Sequence, residues 1–207
     1  MLKDVFFLIV KKYYDNPDGA EKLWPEIEKA YTAKSRDYHN LQHLQNMYNE
    51  LLACKEQVND WETTVLSLFY HDIIYKATAK DNEEKSAGIA VKRLTLMGYP
   101  KEKTIKCRDQ ILATKSHALS NNNDTNLFTD ADLAILGSPW DIYAGYCQQV
   151  RREYAIYPDF LYKPGRKKVL QHFLAMKTIF KTGYFIERYE TAARINLEKE
   201  AALLIDR

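Results

Sequence analysis

Apolar residues recur at intervals of three and four positions along nearly the whole of this 207-residue chain. Between Leu41 and about Gln57, for example, the apolar positions include Leu44, Met47 and Leu51, which lie on one face of a helix. No convincing run alternates in the way a half-buried strand does. Glycine and proline number only 7 and 6, too few for the tight turns of an all-β protein. The pattern therefore predicts an all-α fold.

Breaking and capping residues divide this pattern into segments. Helices are predicted at 2–14, from Pro25 to about 33, and at 41–57, 61–72, 81–98, 100–115, 130–136, 139–157, 166–181 and 185–206. A turn is predicted at 15–19. The stretch 116–126, dense in Asn and Ser, is predicted to be a mobile polar loop. Because no repeat or long linker interrupts the chain, we expect a single domain over 1–207.

Charge and composition argue against several classes of protein. Lys and Arg number 30 against 28 Asp and Glu, so the net charge of +2 gives no basis for binding nucleic acid or a membrane surface. The longest apolar run, Val5 to Val10, is far shorter than the roughly 18 residues of a membrane-spanning helix. The three cysteines form no CxxC pair, which argues against a zinc knuckle or a disulfide framework. We expect a protein of the reducing cytoplasm.

The histidines and certain aspartates form the most informative pattern. His39 and His43 are four residues apart, His71-Asp72 ends a strongly apolar helical segment, and Asp130 opens another. A buried carboxylate is costly unless it is paired or bound to a metal. Imidazole and carboxylate together bind divalent metals of intermediate hardness, and a metal with open positions makes water a nucleophile near neutral pH. The pattern therefore predicts a hydrolytic metal site.

The order His43, His71-Asp72, Asp130 resembles the HD superfamily of metal-dependent phosphohydrolases, whose signature is H…HD…D on a bundle of helices. Other stretches of the chain are similar to an uncharacterised bacterial family of predicted HD phosphohydrolases. The resemblance implies an HD-domain helical bundle, with a metal-binding core at about 36–137 and additional C-terminal helices at about 139–206. It also implies that these four residues hold the metal.

The sequence Tyr-His-Asn-x-x-His at 38–43 is also similar to the helical cyclic-nucleotide phosphodiesterases. In those enzymes the second histidine is the metal ligand and the first is the general acid. Carried over, His43 binds the metal and His39 protonates the leaving oxygen. The helical pattern agrees, because His43 shares the inward face of its helix with Met47 and Leu51.

The choice between Asp130 and Asp132 is open on spacing alone, since residues two apart cannot share one helix face. In the superfamily the last ligand opens an acidic-Ala-acidic stretch, and this resemblance favours Asp130. Asp132 is then a first-turn carboxylate or a partner of a ligand.

Further residues are candidates for contact with the substrate. Lys115 and Arg36 are expected to neutralise phosphate, and Glu83, by resemblance, to orient a water molecule or act as a base. His117 is the one histidine between the HD pair and Asp130. Binuclear relatives have several there, so a single metal is favoured, with His117 near the substrate.

The expected activity is hydrolysis of a phosphoester, above all of a nucleotide, by attack of a metal-bound water. The ion is Mn²⁺, Fe²⁺, Co²⁺, Ni²⁺, Zn²⁺ or Mg²⁺. Arg151 and Arg152 offer a second place to bind the substrate. Nucleic acid and membrane are not expected partners. Whether two copies of the chain form a homodimer is left open. The alternatives are an HD-fold regulatory protein that binds a metal or nucleotide without hydrolysis, and a helical interaction module.

Overall fold

The protein is described by a computed structural model over residues 1–14 and 19–204, a part of the chain that contains helices and no strand. Numbered in chain order, its α-helices are α1 Leu2–Val10, α2 Gly19–Tyr31, α3 Leu41–Ala53, α4 Trp61–Tyr70, α5 Asn82–Leu96, α6 Lys101–Ala113, α7 Asn123–Leu133, α8 Trp140–Glu153, α9 Asp159–Ala175 and α10 Gly183–Leu203. Short 3-10 helices occupy Lys55–Gln57 and Ala134–Gly137. The prediction of an all-α fold is confirmed.

Two predicted helix boundaries are wrong because prolines lie inside helices. Helix α2 runs through Pro25, and α9 begins at Asp159 and runs through Pro164. A proline removes one backbone hydrogen bond but does not end a helix whose apolar face is well packed. In α2 that face includes Trp24 and Ile27, which are 4% and 0% exposed. Residues 15–18 of the turn predicted at 15–19 lie outside the described residues, and Gly19 begins α2.

The predicted polar loop is shorter than its composition suggests. Helix α7 begins at Asn123, and the side chain of Asn122 accepts a hydrogen bond from the Thr125 amide at 3.1 Å, as a helix-capping residue does. Polar residues in this stretch therefore start a helix, so the prediction that the helix begins at Asp130 is wrong. The mobility expected for the loop stays a prediction.

The chain divides into two compact units, Met1–Thr129 and Asp130–Arg207, and helix α7 runs through the boundary. The single domain expected from the sequence stays a prediction. No helix in residues 1–14 and 19–204 combines the length and apolar character needed to cross a membrane.

Helix α4 is the centre of the first unit. Every residue from Thr63 to Tyr70 is buried, and the helix packs against α1, α3, α5 and α6. Ser67 donates to the side-chain oxygen of Gln110 in α6 at 2.6 Å, and Gln110 donates to Thr64 at 3.3 Å. These buried polar contacts fix the register of α4 against α6, and so the position of the residues that follow α4.

The second unit is built on α8, α9 and α10. A Cβ atom at Gly137 would lie only 2.8 Å from the carbonyl oxygen of Tyr189, so glycine allows the 3-10 turn to touch α10. The side-chain amide of Asn196 donates to the carbonyls of Leu136 and Ser138, each at 2.8 Å. The end of this turn is thus held by α10.

Asp124 in the first turn of α7 offers a test of how this helix is anchored. Its carboxylate is 6% exposed and accepts from the amides of Asn59 and Asp60 at 2.8 and 2.9 Å. Asp124→Ala leaves these donors without an acceptor, so we expect the free energy of unfolding to fall by about 1–3 kcal/mol in urea denaturation. The exposed Asp109 is the control, and Asp109→Ala should change stability by less than about 0.5 kcal/mol. Equal losses in both variants would contradict the anchoring role.

Candidate metal centre

His43 is placed by the first turn of α3. Asn40 is the N-terminal cap of this helix, and its side chain accepts from the amides of Gln42 and His43 at 2.8 and 3.3 Å. The helix therefore begins after His39, which lies outside it. His43 is 4% exposed and shares the buried face of α3 with Met47.

His71 is placed by the end of α4. It is the C-terminal cap of the helix and is 1% exposed. Its Nδ1 lies 2.9 Å from the carbonyl oxygen of Leu68. Because a carbonyl can only accept, Nδ1 carries the hydrogen, and Nε2 of the neutral ring keeps its lone pair. This contact fixes both the tautomer and the direction of the ring.

The two buried histidines face each other. The distance between Nε2 of His43 and Nε2 of His71 is 3.2 Å. With a carboxylate oxygen of Asp132 they form a group whose ligand atoms all lie within 4.8 Å of one another. The carboxylate of Asp72 lies 3.2 Å from the same Nε2 of His71. The His43 imidazole and the Asp72 carboxylate thus both lie beside Nε2 of His71, and Asp132 completes the group with the two histidines.

Asp132, and not Asp130, offers the carboxylate of this group, which corrects the predicted ligand. Asp132 lies one turn after Phe128 on the same face of α7, and the ring of Phe128 is 6.0 Å from that of His71. Asp130 lies on another face, because a spacing of two turns the side chain away. No local pattern in the sequence distinguishes Asp132 from Asp130.

The hydrogen-bond partners of Asp130 lie within the second unit. It is 0% exposed, and its carboxylate accepts from the amides of Lys181 and Thr182 and from the Thr182 hydroxyl. The Lys181 ammonium is 3.3 Å away. Burial raises the pKa of Asp130, against the effect of these donors. The carboxylate holds the chain before α10, a role that no local pattern in the sequence indicates.

Arg36 holds the backbone beside the group, and its expected contact with phosphate stays a prediction. Its guanidinium donates to the carbonyls of Asp72 and Ile73 at 2.5 and 3.0 Å and lies over the ring of Tyr31. The Asp72 amide donates to the Tyr31 hydroxyl at 3.1 Å. Only 9% of Arg36 is exposed. The backbone of Asp72 is thereby fixed at both its amide and its carbonyl.

His39 lies beside the group among aromatic rings. Its ring stacks on Tyr75, with centroids 4.1 Å apart and an angle of 28°, and is 5.7 Å from the ring of His43. His39 is partly exposed, whereas His43 is buried. The predicted division between a buried ligand and a more accessible histidine is compatible with these positions. Tyr75, which the sequence reasoning missed, fixes the plane of the His39 ring.

Glu83 lies in the first turn of α5, and Lys115, which follows α6, reaches the same place with its side chain. The Lys115 ammonium forms an ion pair with Glu84 and donates to the carbonyl of Lys80 at 3.0 Å. The hydrogen bond with Glu84 raises the pKa of Lys115, and the charges of Glu83 and Asp81 act in the same direction. The hydrogen bond and the ion pair of Lys115 are thus with the start of α5, and in the described part of the chain no such contact joins it or Glu83 to the histidine group.

His117 follows α6 with a backbone φ of 50°, in the left-handed region. Its amide donates to the carbonyl of Ala113 at 2.9 Å, which closes the last turn of the helix. Glycine is the usual residue in this position, because any other residue is strained there. The left-handed backbone of His117 thus belongs to the end of α6, and its expected place near the substrate stays a prediction.

Arg151 and Arg152 belong to the second unit. The guanidinium of Arg151 donates hydrogen bonds within that unit, to Asp159 at 2.8 Å and to the carbonyls of Tyr154 and Tyr157, each at 3.1 Å. Arg152 is exposed at the end of α8.

Comparison with family models, with curated proteins and with solved structures found no match for the chain. The chemistry of the group itself therefore decides what it can bind. Two imidazoles and two carboxylates suit a divalent transition metal. The Leu68 carbonyl behind His71 is the outer contact that metal-ligating histidines have. The residues present fit a metal ion, and the candidate ligands are His43, His71, Asp132 and Asp72.

The strain at His117 is testable with a pair of variants that both lose the imidazole. His117→Gly relieves the left-handed backbone and His117→Ala does not, so we expect the glycine variant to be more stable by about 1 kcal/mol in urea denaturation. The same pair at Ala113, inside α6, is the control. There Ala113→Gly should lower stability by about 1 kcal/mol. If His117→Gly were the less stable of the pair at 117, the backbone would not be strained.

Proposed function

We propose that the protein is a metal-dependent phosphohydrolase of the HD type that cleaves a phosphoester, a nucleotide being the substrate class favoured. The observation that carries the proposal is the facing pair of Nε2 atoms of His43 and His71, 3.2 Å apart, with Asp132 and Asp72 beside them. A divalent ion bound there would polarise a phosphoryl oxygen and lower the pKa of a water molecule.

The chain's own residues have separate tasks in this proposal. His43, His71, Asp132 and Asp72 hold the ion. The Leu68 carbonyl holds a proton of His71 on Nδ1, which leaves Nε2 as the nitrogen that would bind the ion.

His39 supplies the proton in this proposal. It is partly exposed and lies beside His43, so it can reach an ester oxygen that leaves the phosphorus. Tyr75 stacks on its ring and keeps the donor nitrogen in one plane. His39 is thus the general acid, and Tyr75 is a positioning residue that touches the acid and not the reacting atoms.

The metal assignment is testable with two aspartates two residues apart. Asp132→Asn removes the charged ligand, so we expect it to lose the ion that the wild-type protein holds at about one per chain. Asp130→Asn is the matched control and should keep the ion, because Asp130 binds the chain before α10. Elemental analysis after dialysis gives the metal content, and circular dichroism shows that both variants are folded. Loss of the ion from Asp130→Asn alone would reverse the assignment.

The acid role of His39 is testable with two substrates that differ only in the leaving group. We expect His39→Ala to keep the metal and to lose roughly 10²–10⁴-fold in kcat with an alkyl phosphoester, because an alkoxide must be protonated as it leaves. With a nitrophenyl ester the loss should be much smaller. Tyr75→Ala should show the same dependence on the leaving group more weakly.

Equal losses of kcat with both esters would show that His39 is not the acid. If the wild-type protein holds the metal but hydrolyses no phosphoester with Mn²⁺, Co²⁺, Ni²⁺ or Mg²⁺, the regulatory alternative replaces hydrolysis.

A further inference from the structure

The turn that joins α8 to α9, in the second unit, presents large apolar side chains to solvent. Ile156 is 70% exposed, Phe160 is 74% exposed and Leu161 is 53% exposed. We call these three residues the apolar tip, since they lie within six consecutive positions of the chain. Single exposed apolar residues are common on a protein surface, but a group of three in one short turn indicates a surface that contacts something apolar.

The backbone that carries the apolar tip is held by Arg151. Its guanidinium donates to the carbonyls of Tyr154 and Tyr157, each at 3.1 Å, and lies over the ring of Tyr162. It also donates to the carboxylate of Asp159 at 2.8 Å. The turn is therefore fixed by several contacts, and its apolar side chains are exposed by an ordered backbone and not by fraying.

Two lysines follow the apolar tip on the same side of α9. Lys167 and Lys168 come seven and eight residues after Phe160, a spacing that places them on the same face of the helix, about 10–12 Å further along its axis. Both lysines are exposed. In the described part of the chain neither ammonium has an ion pair or a hydrogen bond. Both are therefore available to an anionic partner.

No acidic side chain of α9 offsets these lysines beyond its first residue. The sequence from Phe160 to Ile186 contains no Asp or Glu. The acids that precede it are Glu153, which is partly buried at the end of α8, and Asp159, which is paired with Arg151. The net charge of +2 over the whole chain, from which no membrane partner is expected, does not reveal this local distribution.

An anionic membrane surface suits both parts of this arrangement. Exposed apolar side chains enter the boundary between the head groups and the acyl chains, while nearby lysines attract the phosphates of the head groups. A second copy of the chain suits it less well. Two copies joined at this surface would bring four lysines together, and Asp159 is already paired with Arg151.

We propose that the apolar tip and the two lysines dock the protein on a membrane that contains anionic phospholipids. Ile156, Phe160 and Leu161 enter the lipid interface, and Lys167 and Lys168 lie among the phosphates. The contact is peripheral and reversible, because three side chains and two charges stabilise it far less than a membrane-spanning helix would. This inference does not depend on the proposed phosphohydrolase activity, since it uses no residue of the metal group.

Sedimentation with phospholipid vesicles tests the docking of the full-length chain. We expect the protein to bind vesicles of mixed phosphatidylcholine and phosphatidylglycerol at least about tenfold more tightly than vesicles of phosphatidylcholine alone. Added salt should weaken binding to the mixed vesicles, because it screens the lysines. Equal binding to both kinds of vesicle, or binding to neither, would overturn the proposal.

The charged part of the contact is tested by a double variant. Lys167→Gln combined with Lys168→Gln should weaken binding to the mixed vesicles roughly 25-fold, at about fivefold for each lysine. The matched control is Lys101→Gln combined with Lys106→Gln, which removes two exposed lysines of α6. An unchanged affinity in the first double variant, or an equal loss in the control, would show that the lysines of α9 do not face the membrane.

The apolar part is tested in the same way. Ile156→Gln combined with Phe160→Gln should weaken binding to the mixed vesicles by at least about tenfold. Leu96→Gln combined with Leu119→Gln is the control, because these leucines of the first unit are 60% and 75% exposed. Circular dichroism shows that all variants keep the native fold. Binding that survives loss of the tip side chains, or that falls equally in the control, would contradict insertion of the tip.

A fluorescence signal locates the contact and separates a membrane from a second copy. In Phe160→Trp the introduced tryptophan should be quenched by brominated lipid, measured as the difference from the wild-type protein, whereas Leu119→Trp should show no such quenching. An unquenched Phe160→Trp on bound vesicles would overturn the site. Dimers that form without lipid in analytical ultracentrifugation, and that Phe160→Gln abolishes, would assign the tip to a homodimer and overturn the membrane proposal.

Discussion

The candidate metal group depends on the burial of α4. Every side chain from Thr63 to Tyr70 is enclosed by neighbouring helices, so the helix cannot shift without disturbing packing on all sides. Its last turn presents the Leu68 carbonyl to His71 and thereby sets the direction of Nε2. A ligand atom placed by a buried helix is held more precisely than one placed by a loop.

The residue after His71 needs a different kind of support, because Asp72 lies beyond the helix. Arg36 and Tyr31 supply it through the Asp72 carbonyl and amide. An arginine that is buried over an aromatic ring and bonded to two carbonyls is a costly arrangement unless all its partners are present. The segment from Tyr31 to Arg36 therefore shapes the site although neither side chain is a candidate ligand.

Carboxylates in this protein differ in function according to their partners. Asp124 and Asp130 accept backbone amides and fix the ends of helices, and Glu200 closes a buried network with Arg166. Asp132 and Asp72 instead lie beside imidazole nitrogens. The partners of a buried acid therefore separate a carboxylate that fixes a helix end from one that lies beside the histidines.

The sequence by itself determined that the fold is all-α and that His43 lies inward on α3, because both follow from helical periodicity. It also predicted His71 and Asp72 as candidate ligands, from an acid at the end of an apolar helix. Only the tertiary structure decided between Asp130 and Asp132, since the donors that bind Asp130 come from Lys181 and Thr182, about fifty residues further along the chain. The local sequence pattern could not predict the carbonyl partners of Arg36 either. Periodicity reports which face of a helix is buried, whereas the partner of a polar side chain depends on contacts between distant segments.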